Sequence, residues 1–314
     1  FSVLECFNAQ EMLSNDDRAA LAVHVFDLEP RIRLAAASFL SGLLEHKVIS
    51  ACESGRESDA HARIQCLASL LVQYDQPLGH DTEPLDAVDL AMVQPGLGRK
   101  SMALEALWEM NEALHAWQPY LDVLVGDTQS ELTAEEESAA VELLVMMVRL
   151  VKEHNEEAWS ACSVALMDAL PKLLSKYSAD APRMADLLQI VPNMDLEVYH
   201  ETRDMAAFES LWEDLCAYFN RHMEPSVLHH AAHAIHLLST APAAVTTASS
   251  RLLSLKESVL SRLQDTLHQR QIATTVFNED DVHNLQASLA RLYALLKTMN
   301  ASPLLEDDAL WENV

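Results

Sequence analysis

Glycine is scarce: 6 of 314 residues, about 2 % against a usual ~7 %. A chain this poor in the residue that supplies positive-φ turns is a bad candidate for barrels, sandwiches, P-loop folds or dinucleotide-binding sheets. Positive charge is scarce too. Twenty-one Lys and Arg face 48 Asp and Glu, for a formal net charge of −27. Such a surface does not wrap nucleic acid or an anionic membrane by itself, although a local basic patch remains compatible with it. The five cysteines (Cys6, Cys52, Cys66, Cys162, Cys216) form no C-x-x-C pair, and their number is odd. They therefore argue against a disulfide scaffold or zinc knuckle and for a reducing compartment. The first residue is Phe1 and no basic-apolar leader follows, so the chain reads as a fragment of something longer with no visible signal peptide. The charge-free run from Pro225 to Ser250 holds four histidines, Pro242 and a Thr/Ser-rich end, which makes it too polar for a membrane helix.

What is abundant is apolar residues, 50 % of the chain, set at helical spacing. Ala140, Leu143, Leu144, Met147, Leu150 and Val151 fall on one stripe. Val145 and Val148 are apolar off that stripe, which predicts a helix covered on more than one side. Thr133 and Glu136 form a T-x-x-E capping box before it. Other helix starts are marked by Ser14–Asp17, by Asp180 before Pro182, and by Asn278 before Glu279-Asp280-Asp281. Breaks fall at 75–84, 94–100, 192–195, 240–244 and 300–303. Roughly a dozen helices and no strand are expected.

Two segments share a template. Glu29-Pro30-Arg31-Ile32 is followed by Ala36, Leu40 and Leu43, and Glu224-Pro225-Ser226-Val227 by Ala231, Ile235 and Leu238. Proline opens a helix without losing a bond, the small alanine allows close approach, and the other positions bury a stripe. The pattern looks like the second helix of a HEAT repeat, and the copies are separated by about four or five repeat periods of ~40–47 residues. The predicted fold class is therefore all-α, a HEAT-repeat helical solenoid, with residues 1–314 read as one repeat array cut from a larger one.

Few groups point to chemistry. His229, His233 and His236 share a narrow arc of one helix, opposite Val227, Ala231, Ile235 and Leu238, so they are expected to face away from the core. The i, i+4 pair could chelate a metal, as in a helical metalloenzyme, but no carboxylate or cysteine shares the face and there is no H-E-x-x-H. A partner-contacting polar face fits better, since second helices of such repeats often line the concave surface. Pro95-Gly96-Leu97-Gly98-Arg99-Lys100-Ser101 lacks the phosphate-loop spacing and reads as a surface link. Phe208, Trp212 and Phe219 share a stripe with Leu211 and Leu215 and read as core. Acid clusters at Glu135–Glu137, Asp280-Asp281 and Asp307-Asp308 read as helix-start charges. Arg251, Lys256 and Arg262 form the one locally basic helix, suited to an acidic partner segment. No catalytic residue, metal ligand or cofactor is assigned. The candidate partner-binding residues are His229, His233, His236, Arg251, Lys256 and Arg262.

From Leu170 the chain resembles a known family. The run Leu170-Pro171-Lys172-Leu173-Leu174-Ser175-Lys176-Tyr177-Ser178-Ala179-Asp180-Ala181 is similar to the stromal-antigen family of cohesin subunits. So are Leu187–Ile190, Met194–Tyr199, Glu224–Leu228 and Glu279–Leu285 with Leu289, Arg291 and Leu292. Upstream, Ala106-Leu107-Trp108 and Glu136–Leu143 also fit, so the resemblance covers about 101–314, with generic HEAT pattern over 1–100. It is to the C-terminal half of that subunit, in a fungal-looking form. The resemblance implies a hook-shaped helical solenoid, non-enzymatic, that binds the kleisin subunit of cohesin and serves sister-chromatid cohesion on chromosomes in the nucleus. It implies loader and release factors as further partners and a parent complex that touches DNA. The few clustered cations of this fragment predict that it binds DNA weakly and salt-dependently at most, with the main DNA contact elsewhere in the parent subunit. Another HEAT scaffold, for nuclear transport or a phosphatase, is the alternative. One departure stands out: the family usually carries a long basic loop after the helix at 139–152, whereas here Lys152 runs through His154-Asn155-Glu156-Glu157 straight to Trp159.

Overall fold

The computed structural model describes residues 12–53, 59–75, 98–126, 132–241, 248–272 and 279–299. Among these the secondary structure is thirteen α-helices and three short 3-10 segments, with no strand. Asn278, Pro95–Leu97, Cys6 and Asp307-Asp308 lie outside the described residues, as do most of the expected breaks at 75–84 and 300–303. The chain divides into two compact units, Phe1–Cys162 and Ser163–Val314.

In the first unit, α1 (Asn15–Ala22), α2 (Pro30–Glu53), α3 (Asp59–Tyr74), α4 (Arg99–Trp108), α5 (Gln118–Val125) and α6 (Ala134–His154) follow one another. The predicted Thr133–Glu136 capping box forms, and the helix start marked at Ser14–Asp17 carries a second one. Ser14 accepts the amide of Asp17, and Thr133 that of Glu136, while each acid reaches back to its cap residue. Helix α6 is packed by α3, α4 and α5, which is why Val141, Met146 and Val148 are buried with the main stripe. A single residue, Asn155, separates α6 from α7 (Glu156–Lys176), and its side chain accepts the Ala158 amide. The turn is complete without an inserted loop.

The HEAT-like template holds in one copy and rotates in the other. Ile32 is 39 % exposed, and Leu43 is half-buried. The buried face of α2 instead runs through Arg33, Ala36, Ala37, Leu40 and Leu44. The cause is Arg33. Its guanidinium donates to the carbonyls of Asp27 and Leu28, both at 3.0 Å, and lies 3.6 Å from Glu105 of α4. A buried arginine that satisfies an entry loop takes the inward position the β-branched residue was expected to hold.

The start of α4 shows how glycine is spent where it is present. Gly98 is the N-cap, and the Glu142 carboxylate of α6 accepts the Ser101 amide at 2.8 Å. A Cβ on Gly98 would overlap that carboxylate. Burial holds the Glu142 carboxyl above its ordinary value, against the charge of Lys100 and the Ser101 amide. The helix N-terminus that resembled part of a phosphate loop is thus filled by the chain's own anion.

The second unit comprises most of α7, then α8 (Ala181–Leu188), α9 (Val198–Glu201), α10 (Met205–Arg221), α11 (Pro225–Thr240), α12 (Ala248–Ile272) and α13 (Glu279–Thr298). Asp180 caps α8 through the Arg183 amide, as its sequence predicts. Ser163, fully buried, accepts the Asp195 amide and pins the link after α8. Phe208, Leu211, Trp212, Leu215 and Phe219 are all buried in α10, and Tyr199 meets Phe208 edge-on at 5.5 Å. The central element is α11, which packs against α8, α10, α12 and α13. Its second copy of the template is intact: Val227, Ala231, Ile235 and Leu238 are fully buried.

Candidate partner-binding site

The six residues singled out by sequence sit on α11 and α12. The histidine face of α11 lies off the fully buried Val227, Ala231, Ile235 and Leu238, as expected, but the helices packed against α11 leave it only partly open. His229, His230, His233 and His236 are all half-buried. The Nδ1 atoms of His229 and His236 are buried without a hydrogen-bond partner. Burial lowers the pKa of His229, with the Lys297 charge of α13 and His233 adding to it. His233 is lowered by burial and by His236. His230 is pushed down to about 4 by burial and by its two neighbours. At neutral pH these three rings are uncharged packing groups. Among the described residues no three His, Cys, Asp or Glu side chains converge in the manner of a metal site.

The basic residues of α12 do not form one patch. Leu255, Val259 and Leu263 are its buried stripe. At helical spacing Arg251 and Arg262 lie within about 20° of each other, and Lys256 lies about 120–140° away, beyond the stripe. Arg251 and Arg262 accordingly turn to α10, where Arg251 lies 3.7 Å from Glu209 and Arg262 donates to the Asn220 side chain at 3.1 Å. Arg251 also edges a pocket of about 460 Å³ with Trp212, Cys216 and Ser254. Burial pushes the Cys216 thiol up to about 11, which keeps it protonated at neutral pH. Lys256 turns the other way, into a pocket of about 500 Å³ that it shares with His236, Thr240, Leu252, Leu253 and Met299.

The structure therefore brings together His236 and Lys256, and separates them from the Arg251–Arg262 pair. Sequence reasoning missed the apolar half of that pocket. The signal was present: Leu253 falls about 120° from the centre of the buried stripe, and it is 51 % exposed. Arg291 of α13 was also missed as a structural group. It is buried and donates to the backbone carbonyls of Phe219, Asn220 and His222 at the end of α10.

The sequence matches the family described as "Cohesin subunit SCC3/SA, HEAT-repeats domain" over residues 151–312. The chain belongs to this family. The fold is accordingly the all-α HEAT-repeat, solenoid-like fold of the SCC3/SA subunits. Cohesin subunit SA-3 of Mus musculus is 30 % identical over 216 residues, which cover 61 % of this chain and 17 % of the relative. Cohesin subunit SA-1 of Xenopus laevis is 26 % identical over 314 residues, 90 % of this chain and 23 % of the relative. Sister-chromatid cohesion protein 3 of Arabidopsis thaliana is 22 % identical over 216 residues, 61 % of this chain and 19 % of the relative. The chain thus spans about a fifth of the length of these relatives. The SA-1 match is long enough to enter residues 1–100, where the sequence pattern alone showed only generic HEAT spacing. The family segment contains the whole of α8–α13, and so both pockets and all six candidate residues.

Proposed function

We propose that this chain is a non-enzymatic stretch of a cohesin scaffold subunit that holds a segment of the kleisin subunit, and so serves sister-chromatid cohesion on chromosomes in the nucleus. The observation that carries the reading is the SCC3/SA match over 151–312, which spans the α10–α13 surface. The surface suits the task. An extended peptide on a repeat array gains affinity from many modest contacts and needs no enclosed cavity. The two shallow pockets flank α12 on opposite sides, so a segment crossing that helix meets cations at either edge. Loader and release factors are further partners under the same reading. The net charge of −27 supports the reading that any DNA contact of the parent lies mainly outside these residues.

The test is a binding titration of the chain against a kleisin fragment at physiological salt. The double variant R251E/K256E should weaken binding tenfold or more. Unchanged affinity removes α12 from the interface. No binding by the wild-type chain overturns the reading.

A further inference from the structure

The pocket between the ends of α11, α12 and α13 has a recognition chemistry of its own, and it deepens the kleisin reading on which it rests. Its floor is apolar: Leu252, the 51 %-exposed Leu253 and Met299. Its polar wall is Lys256 and His236. Acids outnumber bases by 48 to 21, yet Lys256 makes no ion pair with any described residue, whereas Arg251 on the other flank of the same helix lies against Glu209. His236 Nδ1 is buried and unpartnered. The neighbouring Ser239 and Thr240 hydroxyls donate to the His236 backbone carbonyl and to Leu237, and so do not satisfy that ring.

We infer that this pocket takes an acidic-apolar peptide segment of the partner chain, one apolar side chain lying on Leu252, Leu253 and Met299 and an adjacent carboxylate pairing with Lys256. Charge decides between occupants. A lone cation beside the exposed Leu253 complements a carboxylate next to an apolar residue. A nucleic-acid strand would need a run of cations that this chain lacks. A volume of about 500 Å³ holds one large side chain and its neighbour. It anchors a peptide locally and leaves the remaining contacts to the repeat surface.

The experiment uses the 314-residue chain and fluorescein-labelled 15-residue peptides tiled along a kleisin, read by anisotropy. At least one tile with an apolar residue next to Asp or Glu should bind. K256E should weaken it tenfold or more and L253D at least fivefold, while K256R stays within threefold and K172E, at an exposed lysine of α7 outside both pockets, within twofold. Both pocket positions are surface-accessible, so melting curves of the variants should match wild type. Tiles whose affinity is indifferent to K256E and L253D overturn the inference. So does a photo-crosslinker at position 253 that captures residues 301–314 of the same chain in place of peptide. Binding of an intact kleisin fragment with no binding by any tile refutes the pocket while leaving the kleisin reading standing. If neither binds, both fall.

Discussion

Replacing Arg291 with methionine should destabilise the second unit by about 4 kcal/mol. The side chain is 8 % exposed and gives three hydrogen bonds to α10: to Phe219 at 3.1 Å, Asn220 at 2.7 Å and His222 at 3.2 Å. These are carbonyls at a helix C-terminus, which have no partner within the helix. A cation there also meets the negative end of the helix dipole. Methionine keeps the length and apolar contact but removes all three donors. Phe219 and His222 are buried, so at least two carbonyls stay dry, at about 1–3 kcal/mol each, and the dipole contribution adds about 0.3–1. Against this stands the desolvation of the guanidinium beside Arg262, which pulls the Arg291 pKa below its ordinary value. That cost is recovered on removing the charge and keeps the expected loss near the middle of the range. With a urea slope of about 2 kcal/mol/M, the midpoint of the second unit should fall by about 2 M. Lysine keeps the charge but cannot reach three carbonyls with one planar fork, so R291K should recover less than half. Urea denaturation followed by hydrogen exchange in α10 reads the effect. A loss under about 1 kcal/mol for R291M, or full rescue by R291K, would refute the reasoning.

Two further predictions concern the buried polar groups. His230 titrates at about 4 in the folded chain and near 6.5 when unfolded, so between those values the unfolded state binds more protons. Stability should therefore rise with pH across that window, and about 1.6 kcal/mol should be lost between pH 6.5 and 5. The H230Q variant should flatten this slope in pH-dependent urea midpoints, and an unchanged slope would show that the ring does not gain its proton only on unfolding. Gly98→Ala should drive the Glu142 carboxylate off the Ser101 amide and lower the stability of the first unit by about 1–3 kcal/mol. If the double variant G98A/E142A is no less additive than two distant changes, the two residues do not interact as described.

Helix positions were legible because capping chemistry and apolar period are local properties of the chain. The Thr133–Glu136 box and the α6 stripe need no knowledge of the partners. The first copy of the HEAT-like template misled because Ile32 is replaced on the inner face by Arg33. That exchange depends on where Asp27, Leu28 and Glu105 arrive, which no helical wheel shows. The histidine face was read in part. The wheel identified the buried side of α11 correctly and put the histidines off it, but nothing in the periodicity said that the helices packed against α11 would leave that face half-buried. The basic stretch Arg251–Arg262 looked like one patch because net charge ignores azimuth. Its division between two flanks follows from the Leu255–Val259–Leu263 stripe that was already there to be read.

The central position of α11 has a kinetic consequence. The middle of a helix in contact with four others does not open by itself, since releasing its buried amides to water requires its neighbours to part first. Its amide protons should accordingly exchange only through the opening of the whole second unit, and the slowest of them would report that unit's global stability. Helix α12, whose outward residues Leu253, Ser254, Glu257 and Ser261 are exposed, can loosen without it. Peptide capture at the α12 surface could then be gained or lost on the timescale of local breathing, while the helix beneath keeps its register throughout.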